Sequence, residues 1–182
     1  MARIPLIENK EQLPPEHHIT YDAIAQSRGV VRGPFAVLLH SPDLAGRTAH
    51  LGGYIRFESK LDPRIVELAA LASARELDCK HEWAAHVAQA AKAGVSRETM
   101  RALQQRKTPE NFSFEDAQIV SCAQELLRTH RLSEATFQAL YARLGEQGLV
   151  ELTATIGYYA MLACTLNAFD VASVEPPEDL KI

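Results

Sequence analysis

Helix-start signals recur along this chain too often to leave room for a sheet. Ser41-Pro42 and Asp62-Pro63 each set a capping oxygen before a proline, whose fixed φ and missing N–H suit the first helical position. Ser96 and Ser133 are further caps, and Ser113 with Asp116 three residues on approximates a capping box in which Asp replaces the usual Glu. Gly94 and Gly145 each follow an amphipathic run as a stop. No stretch alternates apolar and polar residues over any length, whereas Ala, Leu, Glu and Gln recur at helical spacing. The fold is therefore predicted to be all-α, with helices near 18–28, 42–58, 63–77, 79–93, 97–105, 114–129, 134–144 and 148–170. Pro14-Pro15 and Pro176-Pro177 argue against helix at the ends. An extended N-terminal arm over 1–15 and a C-terminal tail over 172–182 are expected to flank a single domain.

With 182 residues and 47% hydrophobic content, one sizeable core is the expectation. A formal charge of -4 with no run of Lys or Arg argues against nucleic acid as a partner. Prolines and charges near the N-terminus break any apolar signal region, and the weakly polar stretch Leu152 to Val171 carries Thr, Tyr, Asn and Asp, as a buried helix does. Cys79, Cys122 and Cys164 form no C-x-x-C pair and no disulfide framework. Cytoplasmic localisation without a membrane partner is the reading these features support.

Chemistry concentrates in Cys79-Lys80-His81-Glu82-Trp83-Ala84-Ala85-His86. At about 3.6 residues per turn, a helix puts Cys79, Glu82 and His86 on one face. A carboxylate beside an imidazole fixes its tautomer and raises its basicity, as general acid–base catalysis near neutral pH requires. The alternative for Glu82 and His86 is an exposed i,i+4 pair on a solvated helix. Glu67 sits among apolar residues in Ile65-Val66-Glu67-Leu68-Ala69. Burial there makes it a proton shuttle with a raised pKa, while exposure near Arg64 makes it a surface acid at a helix start. Cys79 is a nucleophile or a small buried hydrophobe, and Trp83 a substrate wall or a core residue. His81 and His86 are five residues apart, which splays them on a helix, so no metal site is expected. Dinucleotide, P-loop and nucleophile-elbow motifs do not occur in the sequence. Ile65-Val66-Glu67-Leu68-Ala69 is echoed by Leu149-Val150-Glu151-Leu152-Thr153, a candidate internal pseudo-repeat.

The spacing of Glu67, Cys79, Glu82 and His86 resembles the E-x11-C-x2-C-x3-H signature of AhpD-like alkylhydroperoxidases, with Glu82 at the second cysteine. Glu82-Trp83-Ala84-Ala85-His86, then Ala90 and Gly94, is similar to the E-W-x-x-H…A-x3-G variant of the carboxymuconolactone decarboxylase branch. The resemblance extends from Gly33-Pro34 and His40-Ser41-Pro42 to Asn167-Ala168-Phe169. It implies an AhpD-like domain of antiparallel helical hairpins assembling as a homo-oligomer, a trimer or hexamer. It also implies a pocket lined by Glu67, Cys79, Glu82 and His86 as catalytic residues, with Trp83 and His81 against a small-molecule substrate. A carboxylate at position 82 cannot form a sulfenate or a disulfide, which counts against the dithiol peroxidase cycle. The resemblance to the decarboxylase branch implies instead a lyase or isomerase without metal or organic cofactor, acting on a small cyclic carboxylate or lactone in aromatic catabolism. A peroxidase using Cys79 and a non-catalytic binding protein are the alternatives. Arg32, Tyr158 and Tyr159 are further candidate pocket residues.

Overall fold

The computed structural model describes residues 2–172 and 175–182, so Met1 and two residues of the expected tail, Ser173 and Val174, lie outside the described residues. Among the described residues there is no strand, and the fold is all-α. The helices are α1 (His18–Arg28), α2 (Pro34–Leu38), α3 (Pro42–Gly53), α4 (Pro63–Glu76), α5 (Lys80–Lys92), α6 (Arg97–Gln104), α7 (Phe114–Arg128) and α8 (Glu134–Ala168). A π-helical turn, Tyr54–Glu58, continues α3. Gly145, at φ 67°, breaks α8 between the two helices expected there.

Local chemistry sets the helix starts. Side-chain oxygens of Asp62, Ser96, Ser113 and Ser133 accept from backbone N–H groups of Arg64, Thr99, Asp116 and Thr136, satisfying donors that the first turn leaves free. Ser41 makes no such bond, and Pro42 alone marks the start of α3. Nor does the Asp116 carboxylate complete a box with Ser113. It pairs with Arg64 at 2.7 Å and accepts from the Thr99 hydroxyl at 2.9 Å, tying α7 to α4 and α6.

Helix α4 is the axis of the core. Ile65, Val66 and every residue from Leu68 to Ala74 are buried, and the run of alanines lets α5, α7 and α8 approach closely. Helix α8 is long and apolar enough to cross a membrane by length and composition. It is instead a core helix here, packed on α2, α4, α5 and α7, with Glu151, Tyr158 and Tyr159 buried in its length.

Both ends of the chain dock on this core. Ile7 and Leu13 are buried, and 3-10 turns at Lys10–Gln12 and Pro15–His17 interrupt the extended arm expected over 1–15. The tail ends in a 3-10 turn, Glu178–Leu180, with Leu180 fully buried. Asp179 pairs with Arg97 and Arg101 on α6. The Trp83 indole N–H donates to the Leu180 carbonyl at 2.6 Å.

Candidate active site

Glu67, Glu82 and His86 meet where α4 crosses α5. His86 Nδ1 donates to Glu67 Oε2 at 2.8 Å, and His86 Nε2 faces Glu82 Oε2 at 3.4 Å. The three side chains are only 14%, 5% and 13% exposed for Glu67, Glu82 and His86. Tyr159 of α8 packs edge-to-face on the imidazole with centroids 4.8 Å apart, fixing the ring's plane. Burial opposes charging His86, but the hydrogen bonds it donates to Glu67 and Glu82 more than offset it and lift its pKa to about 9. His86 is thus an imidazolium through neutral pH, with one proton held firmly by Glu67 and the other loosely by Glu82.

Glu82 and His86 line a cavity of about 220 Å³ bounded by α1, α2, α5, α8 and the π turn. Arg28, Arg32, Arg56, His81, Gln89, Tyr158 and Tyr159 contribute to its walls. Glu67 lies outside this lining, in an adjoining cavity that shares Arg56 and Gln89. The Glu67–His86–Glu82 chain therefore joins two cavities. His81 donates from Nδ1 to the Ala172 carbonyl at 2.8 Å, which leaves Nε2 without that proton and close to Gly33. Gly33 has φ +59°, and a Cβ there would stand 2.6 Å from His81 Nε2, so glycine is needed for both reasons.

Two expected site residues stand elsewhere. Cys79 is the N-cap of α5, with a non-helical ψ of 93°, and its side chain packs on Ala163 and Leu166. It is fully buried and absent from the cavity lining. Burial pushes its thiol up to about 11 although the backbone N–H groups of Glu82 and His81 pull the other way. Cys122 is buried too, its thiol pushed up to about 12 by burial, and Cys164 is exposed. Trp83 is a core residue and not a substrate wall: it is fully buried, and its indole serves the C-terminal turn. In the native protein a maleimide should therefore label Cys164 alone, one thiol per chain by mass spectrometry. Labelling of native Cys79 within about tenfold of the Cys164 rate would return that thiol to the chemistry.

Sequence reasoning placed Glu67, Glu82, His86 and His81 at or beside this cavity, and Arg32, Tyr158 and Tyr159 with them. It missed Arg28, Phe35 and Arg56, which lie outside the 67–86 motif and reach the cavity only through the fold.

Known proteins bear on this geometry in two ways. Residues 42–111 match the model of the carboxymuconolactone decarboxylase family. That segment contains Glu67, Cys79, Glu82 and His86. Among solved structures, the apo debrominase Bmp8 superposes with a TM-score of 0.72 at 16% identity, covering 97% of this chain and 95% of that one. A cysteine-to-alanine variant of Bmp8 in complex with 2,3,4-tribromopyrrole gives 0.70 at 15% identity, covering 94% and 91%. No curated protein matches the sequence. The fold shared with these structures is all-helical. The matched segment covers 42–111, and the likeness over nearly the whole chain is one of fold.

Proposed function

We propose that this protein is a cofactor-independent acid–base enzyme of the carboxymuconolactone decarboxylase type, a lyase or isomerase acting on a small cyclic carboxylate or lactone. The observation that carries the reading is the Glu67–His86–Glu82 array at the wall of a cavity sized for a single ring. Loss of carbon dioxide from such a substrate leaves the bonding electron pair on carbon, delocalised into the ring carbonyl. The carbanion then takes a proton, and the enzyme recovers that proton from solvent. His86 holds the transferable proton at Nε2, which faces Glu82 at 3.4 Å, while Glu67 orients the ring from Nδ1 at 2.8 Å. The match over residues 42–111 supports this class, and the complex of the Bmp8 variant with a substituted pyrrole supports a small ring as ligand.

The thiol alternative draws no comparable support. A cysteine outside the cavity whose thiol is pushed up to about 11 is a poor nucleophile at neutral pH. The three free cysteines suit the reducing cytoplasm expected from the sequence.

The test is turnover of carboxylated muconolactones and related cyclic carboxylates, followed by release of carbon dioxide, beside a peroxide-consumption assay. Because His86 must be protonated to act, kcat/KM should be level through neutral pH and fall as pH rises through about 9. A rate that climbs across that range would refute the acid role, and silence toward the whole substrate panel would refute the lyase reading.

A further inference from the structure

The cavity holds more positive charge than its one lining carboxylate, Glu82, and the adjoining Glu67 use. Arg28, Arg32 and Arg56 all line it, and among the described residues none of the three forms an ion pair. Elsewhere the chain pairs its arginines readily: Arg64 with Asp116, Arg97 and Arg101 with Asp179, Arg128 with Glu76. With His86 also cationic, the charges on this wall outnumber Glu67 and Glu82.

One of these arginines is built into place. The Arg28 guanidinium lies over the Phe35 ring, 3.9 Å from its centroid, and Nη2 donates to the Tyr158 hydroxyl at 3.2 Å. Gly52 of α3 backs this pair so closely that a Cβ there would stand 2.2 Å from the Tyr158 oxygen and 2.6 Å from Arg28 Nη2. One face and one end of the guanidinium are thus fixed before any ligand arrives, which limits the entropy lost on binding. Its Nε is buried and has no hydrogen-bond partner. Tyr159, on the same cavity and only 2% exposed, carries a hydroxyl that is also buried and unpartnered. Buried donors are rarely left unpaired in a folded protein, since each costs the desolvation of a polar group. These two donors, beside three arginines without ion pairs, suit an anionic acceptor.

We propose that Arg28 and Tyr159, with Arg56 at the rim, form a subsite for the carboxylate of a small cyclic ligand, placing its ring against Glu82 and His86. This rests on the acid–base reading for its catalytic meaning but not for binding. The guanidinium edge offers paired N–H donors to a planar carboxylate, a geometry that a neutral amide or lactone cannot exploit with the same strength. Arg56 is exposed and contributes attraction more than geometry.

Calorimetric titration with benzoate and with its neutral isostere benzamide tests the assignment on the intact chain. Benzoate should bind about tenfold or more tighter than benzamide, and raised salt should weaken benzoate alone. Arg28→Gln should weaken benzoate about 10- to 100-fold and leave benzamide unchanged. Arg56→Gln, on an exposed side chain that leaves the core intact, should weaken benzoate severalfold and so keeps the test decisive if Arg28→Gln fails to fold. Equal binding of benzoate and benzamide, or indifference of benzoate to both substitutions, would overturn the subsite. The outcomes separate from those for catalysis: an active His86→Gln enzyme that still needs Arg28 for benzoate would refute the acid–base reading and leave this subsite standing.

Discussion

Replacing His86 with glutamine is expected to lower turnover of a cyclic carboxylate by about 10²–10⁴-fold, the usual worth of a positioned acid or base. Glutamine keeps much of the volume and still has an N–H to offer Glu67, but it has no proton to release. Alanine is the less informative change. It would leave Glu67 and Glu82 facing one another without their shared cation, and stranding a buried charge costs about 3–5 kcal/mol on its own. Glu67→Gln should cost less than His86→Gln, since it disturbs the orientation and basicity of the imidazole and not the proton itself. The measurement is kcat/KM for the three proteins, with thermal melts to show that each is folded. A glutamine variant at position 86 retaining more than about a third of wild-type activity would remove His86 from the chemistry.

The second large effect is on stability. Trp83→Ala should destabilise the chain by about 3–5 kcal/mol, as for other buried aromatics truncated in a core. The residue is fully buried, and its indole N–H holds the Leu180 carbonyl, so the cavity left behind also frees the C-terminal turn. Trp83→Phe restores most of the volume and loses mainly that hydrogen bond, worth about 1 kcal/mol. Denaturant titration of both variants should show a lowered midpoint with little change in slope for Phe. KM should stay at the wild-type value in Trp83→Phe, because the side chain does not reach the cavity. A KM change of about tenfold with unaltered stability would restore Trp83 to the substrate wall.

Most helix starts were legible because their causes are local: an oxygen, a proline or a glycine within a few residues of the end. Helix α2, Pro34–Leu38, was not, since five consecutive buried residues show no helical period. The π turn at Tyr54–Glu58 has no local signal that distinguishes it from a plain continuation of α3. At the site, the steps between Glu67, Glu82 and His86 translated into contact because α4 and α5 form a tight antiparallel pair. Cys79 shows where the helical wheel misleads. The wheel assumes helical dihedrals, and at the N-cap ψ is 93°, so the thiol leaves the Glu82–His86 face and turns to α8. Trp83 follows Glu82 by one residue, about 100° round the helix, which carries it from cavity to core. Arg28 and Arg56 come from segments that only the assembled fold brings to the same wall.

The echo between the segments around Glu67 and Glu151 ends in two unlike uses of a carboxylate. Glu151 accepts from the Tyr54 and Ser59 hydroxyls, the Lys60 N–H and the Gln147 amide, between 2.6 and 3.0 Å. Burial would raise its pKa, but these donors outweigh burial and bring it down to about 2. A depressed carboxylate stabilises the fold above the ordinary carboxylate range, and that stability is lost progressively as pH falls from there through about 2. What it grips is the π turn, and Arg56 is in that turn. The arginine at the cavity rim is thereby moored by an acid on another helix. Mild acid that would protonate an ordinary surface glutamate leaves this mooring fast, so the cavity wall should outlast the ionisation of much of the protein's surface.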